Sequence, residues 1–146
     1  MLLLAPRARL DVLQARAEAI RAATPNRIEQ VILLVIDFKE TSFSPRANYP
    51  FGLTCCHRPW WTLAQDAAMS LRIYREGLRR CGSLEGSFRY YNTGECCVGR
   101  LPHGRVARAR WRRGRAYGRA LLHTMGYVQH PERGVSAVAR RPGRQR

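Results

Sequence analysis

Three groups of residues in this chain have the types and spacing to do chemistry. The first is Glu40, which ends an apolar run starting near Ile28 and is followed by Thr41-Ser42-Phe43-Ser44-Pro45 and then Gly52-Leu53. A carboxyl at the mouth of an apolar helix, facing a loop with Asn48 and Gly52, sits where desolvation favours the protonated acid. That state suits a general acid at neutral pH. The second group is Tyr91-Asn92-Thr93-Gly94, a phenolic hydroxyl and a carboxamide on a turn, able to point hydrogen bonds into a cleft. The third is five cysteines, two adjacent pairs (Cys55-Cys56 and Cys96-Cys97) and Cys81. Vicinal cysteines rarely bond each other, so the expected disulfide joins one pair to the other in an oxidising compartment. With His57 and His103 the same pairs could be read as a metal site, but the C-x-x-C spacing is missing, so neither a metal nor a cofactor is expected.

These groups need a scaffold, and hydrophobic periodicity supplies one that is mainly α with little or no sheet. Leu10, Leu13, Ala17 and Ile20 recur at helical spacing and predict a helix over Leu10 to Ala23. Thr24 reads as a cap and Pro25 as the opening of the next helix, whose apolar residues from Ile28 to Phe38 cover nearly every face and place it centrally. Ser44, Pro45, Asn48, Pro50 and Gly52 then predict a loop folded back over that helix. A third helix runs from Trp61 or Thr62 to Arg80, a fourth from Leu84 to Tyr91, and a last from Arg110 to Met125 with Trp111, Tyr117, Leu121 and Leu122 inward. The expected organisation is an N-terminal helix over 1–24, one domain over 25–130, and a basic, disordered tail over 131–146.

Composition narrows the partners. The chain has 146 residues, 45% of them hydrophobic, enough for one domain with its own core. Lysine and arginine together number 26 against 10 acidic residues, a formal charge of +16, and all but Lys39 are arginine. Such a balance favours an acidic polymer, nucleic acid or an anionic surface. The start, MLLLAPRARLDV, lacks the complete pattern of a secretory signal, and the longest apolar run, Val31 to Ile36, is far below the roughly 20 residues of a membrane span, so a soluble chain is expected.

Several separated segments agree with one family. Glu40-Thr41-Ser42-Phe43-Ser44-Pro45 resembles the motif in which a Glu-Ser pair ends an apolar helix before an aromatic residue and a proline. Gly52-Leu53 resembles the start of a Gly-Leu-Met-Gln motif, with Thr54 and Cys55 in place of Met and Gln. Tyr91-Asn92-Thr93-Gly94 matches a Tyr-Asn-x-Gly motif, and Gly126-Tyr127-Val128 matches a closing segment. Taken in order, Ile28 to Gln129 resembles the soluble, goose-lysozyme-like lytic transglycosylases, nearest to the small specialised members of secretion and conjugation systems.

The resemblance implies a lysozyme-like helical domain with a long active-site loop. It implies peptidoglycan as substrate, with the MurNAc-GlcNAc β-1,4 bond cleaved to a 1,6-anhydro end. Glu40 would be the single acid and base, because Asp37 lies one helical turn away and cannot face it across a sugar. Thr41, Gly52, Leu53, Tyr91, Asn92 and Gly94 would line the substrate site, with Tyr91 orienting Glu40 and Phe43, Phe51 and Leu53 walling it from water. The setting implied is the periplasm, the cell envelope or a phage virion, within a secretion, conjugation or phage assembly. Nucleic acid ranks lower as a partner, and a basic nucleic-acid-binding protein using Arg105 to Arg115 is the alternative.

Overall fold

The computed structural model describes residues 9–44, 49–52 and 61–129, with 127–129 as backbone alone. These form five helices: α1 (Leu10–Ala23), α2 (Arg27–Thr41), α3 (Leu63–Cys81), α4 (Leu84–Thr93) and α5 (Arg105–Gln129). No strand occurs among the described residues, so the chain is mainly α. None of these helices is long and apolar enough to cross a membrane.

Helix α2 is central because it has no solvent face over most of its length. Ile32, Leu33, Val35 and Ile36 are fully buried, and the helix packs against α1, α3 and α5. Ala19 and Ile20 of α1 belong to the same core as Leu71 of α3, Phe88 of α4 and Leu121 of α5. The N-terminal helix is therefore part of the packed body.

Local chemistry sets the element ends. Asn26, rather than Thr24 with Pro25, caps α2: its side chain accepts from the amides of Ile28 and Glu29. Thr24 closes α1 instead, and its hydroxyl donates to Glu29 at 2.6 Å. Asn26 wins because an Asx side chain reaches amides two and three residues on. Thr62 and Gln65 form a reciprocal capping box at the start of α3. Gly82 and Gly94 end α3 and α4 in the left-handed conformation.

Helix α4 is clasped between α3 and α5 through small residues. A Cβ at Gly77 would lie 3.0 Å from the Ser87 carbonyl, and one at Gly118 would lie 2.9 Å from Cγ of Arg89, so both glycines permit close helix approach. A Cys81–Cys96 disulfide then ties the end of α3 to the segment after α4. This corrects the expected joining of the two vicinal pairs: Cys96 is committed to the singleton, and Cys97 is a buried free thiol. The reason is proximity, since both cysteines flank one short helix at a sequence separation of 15. A loop of that length contributes about 3 kcal/mol in the chain-entropy account. Cys55 and Cys56 lie outside the described residues, as do Leu53, Thr54, Trp60 and the tail.

Candidate functional site

The end of α2 carries the candidate site. After Thr41 the chain enters two consecutive left-handed residues, Ser42 at φ 50° and Phe43 at φ 57°. That conformation costs an ordinary residue about 1–2 kcal/mol. It is held because the Phe43 ring is fully buried with Leu13, Leu34 and Phe38 and the Phe43 amide donates to Thr41 Oγ1 at 3.0 Å. Thr41 is thus engaged with its own turn: its hydroxyl also lies 2.9 Å from the Asp37 carbonyl and 2.8 Å from Asp37 Oδ1.

Glu40 stands on the open side of this turn. Its residue is exposed, and Tyr117 of α5 donates a hydrogen bond to its Oε1 at 2.5 Å. Gly52 closes the other side. Its φ is +71°, and a Cβ there would fall 2.5 Å from both Cδ and Oε2 of Glu40, so only glycine lets this backbone lie against the carboxylate.

The loop bearing Gly52 is anchored by Tyr91, whose hydroxyl donates to the Phe51 carbonyl at 2.6 Å. The same oxygen lies 2.7 Å from Ser70 Oγ. Because the phenol has one proton and gives it to Phe51, Ser70 is the donor in that second bond. Tyr91 therefore acts on the backbone beside Gly52, while Tyr117 supplies the hydroxyl on Glu40. Burial and the adjoining Glu40 charge push the Tyr117 phenol well above its ordinary value, with a smaller contribution from Tyr91, so it remains a donor throughout the physiological range.

The carboxyl that burial perturbs is Asp37. It is fully buried, and desolvation lifts it from 3.8 to about 6 against the opposing pull of Arg16 and the hydrogen bond from Thr41. Arg16, itself 5% exposed, reaches Asp37 Oδ2 only at 3.6 Å. Neither Asp37 Oδ2 nor Arg16 Nη1 has a hydrogen bond, so the pair does not recover the cost of burying it. Of the two carboxyls on this turn Asp37 is the buried one and Glu40 the exposed one. The expected walls account for this, because Phe51 packs into the main core and Phe43 into the cluster with Leu13, leaving Glu40 in contact with water.

Of the other expected site residues, Asn92 is half-buried with its Oδ1 unpartnered, and Gly94 caps α4 through its amide to the Tyr90 carbonyl. The structure therefore brings Glu40 and Gly52 together, with Tyr91 anchoring the loop. Two contributors were not legible as site residues. Tyr117 reads as an inward aromatic, though a tyrosine on a core face needs a partner for its hydroxyl. Arg16 reads as one of the polar residues of α1, though an Asp inside an apolar run calls for a cation. Compared with known proteins, the chain matches no family model, no curated protein and no solved structure.

Proposed function

We propose that the protein is a peptidoglycan lytic transglycosylase of lysozyme-like type, with Glu40 as its single acid and base. The observation that carries this reading is the setting of Glu40: an exposed carboxyl at a helix end, held by the Tyr117 hydroxyl and faced by the bare backbone of Gly52. An exposed carboxyl with a fixed donor on one oxygen and bare backbone beside the other is held in one orientation toward a substrate. The sequence resemblance to the Glu-Ser, Gly-Leu and Tyr-Asn-x-Gly motifs supplies the reaction class.

In this mechanism a bound glycan strand covers Glu40 and displaces water from it, which favours its protonated form. Glu40 then delivers that proton to the glycosidic oxygen as the bond to the muramyl anomeric carbon breaks. The substrate's own N-acetyl oxygen assists at that carbon, which removes the need for a second carboxylate. Glu40, now ionised, takes the proton of the muramyl C6 hydroxyl as its oxygen closes on the anomeric carbon, leaving a 1,6-anhydro end and restoring the acid. Tyr117 orients Glu40 through both steps, and Tyr91 holds the loop that fixes Gly52. Murein glycan strands are the partner, in the periplasm, the cell envelope or a phage virion.

The full chain incubated with murein sacculi should release soluble anhydro-muropeptides, and Glu40→Gln should abolish release while leaving the thermal unfolding profile unchanged. Products with free reducing ends would replace the transglycosylase reading with hydrolysis. Undiminished release by Glu40→Gln would remove Glu40 from the mechanism.

A further inference from the structure

Helix α5 has a second face that the Glu40 site does not use. Arg105, Arg108, Arg112, Arg115 and Arg119 alternate in steps of three and four residues, which places them within roughly 80° of arc on a helix of 3.6 residues per turn. Arg105, Arg108, Arg112 and Arg119 are exposed, and none of the four has an ion-pair partner among the described residues. Arg115 is held over the Trp111 ring at 4.7 Å. No acidic residue occurs anywhere in the helix. At about 1.5 Å per residue the row is roughly 21 Å long.

At its start this row opposes the dipole of α5 rather than complementing it. The first turns of α1, α2, α3 and α4 each carry an acid, which complements the positive end of the helix dipole. The first turn of α5 has none and carries arginines instead. Residues 105–110 are exposed on every side, so this end of the helix stands clear of the core. Two like-signed features, the helix dipole and the unpaired arginines, thus converge on one projecting element.

Tyr117 lies roughly 160° around the helix from the centre of the row, so a strand held at Glu40 cannot lie along the row as well. The row needs a different anionic partner. A straight line of charges on a rigid helix is matched by a rigid polyanion, since a flexible one would lose conformational entropy on lying straight. Arginine forks are suited to phosphate oxygens. A duplex of 3.4 Å rise presents about six base pairs over the same length. We infer that this α5 arginine row is a docking surface for the phosphate backbone of double-stranded nucleic acid, without sequence preference and independent of the Glu40 site.

The test is fluorescence anisotropy of a labelled 20-base-pair DNA duplex of arbitrary sequence, titrated with the full chain at several salt concentrations. Two variants of equal charge are compared with the wild type. One replaces the row (Arg105, Arg108, Arg112 and Arg119 to Gln), and the other replaces four exposed arginines elsewhere (Arg21, Arg27, Arg72 and Arg100 to Gln). The row variant should bind at least tenfold more weakly at 50 mM salt and flatten the slope of log K against log salt by about 3.6, given roughly 0.9 per phosphate contact. The second variant should change affinity less than threefold, and Glu40→Gln should bind as wild type. Equal losses in the two arginine variants would reduce the row to diffuse charge. Absence of duplex binding, or equal competition by inorganic polyphosphate at matched phosphate concentration, would overturn the assignment.

Discussion

Asp37 and Glu40 are one helical turn apart on α2, yet they occupy opposite environments. Asp37 is sealed between α1 and α2 with Arg16 at 3.6 Å and is lifted to about 6. Glu40 is exposed and bonded to Tyr117. A perturbed acid is often taken as a sign of a catalytic site, and here that criterion alone would select Asp37. A fully buried carboxyl is closed to any substrate, so the proposed reaction calls on the exposed Glu40. Burial and reach are separate requirements, and this helix divides them between two residues.

The buried environment of Asp37 depends most on Arg16. Replacing it with Met leaves Asp37 buried without a cation, which should cost about 3–5 kcal/mol at pH 8. The loss should shrink at pH 5, where Asp37 is protonated, as urea unfolding at the two pH values would reveal. A pH-independent loss would mean that Arg16 acts by packing alone.

Asp37→Asn tests the other member. A folded value of about 6 against 3.8 unfolded means the native state holds the proton more tightly. Stability from this group is therefore full below about pH 4 and declines as pH rises through 6. The variant should match wild type near pH 4 and exceed it by up to about 3 kcal/mol at pH 7–8. A difference that does not change with pH would contradict the burial argument.

Gly52→Ala should cost about 1–2 kcal/mol from the left-handed backbone and push the Glu40 carboxyl aside, since its Cβ would fall 2.5 Å from Cδ. Murein release should fall by more than the stability loss explains. The smallest effect is expected for Tyr117→Phe, about 1 kcal/mol for one hydrogen bond. It should be accompanied by a drop of about tenfold in kcat with KM little altered. A change confined to KM would assign Tyr117 to substrate binding rather than to orienting Glu40.

Helix boundaries were legible where burial imposes a period. The predicted Leu10 to Ala23 coincides with α1, because its apolar residues must all meet one surface. The apolar spacing predicts a start of α5 at Arg110, whereas the helix begins at Arg105. Residues 105–110 are exposed all round and carry no periodic signal to read. The turn after α2 was legible as a loop, but its left-handed Phe43 was not, since that conformation depends on the distant Leu13.

A mainly α chain, a central α2, a carboxylate at that helix's end and an arginine-rich last helix all follow from local pattern and composition. Only the packing of the helices buries Asp37 while leaving Glu40 exposed, brings the Tyr117 hydroxyl to Glu40 and joins Cys96 to Cys81. Each of these is a contact between separate segments. Periodicity gives the face a residue occupies on its own helix, but the partner across that face is set by how the helices pack together.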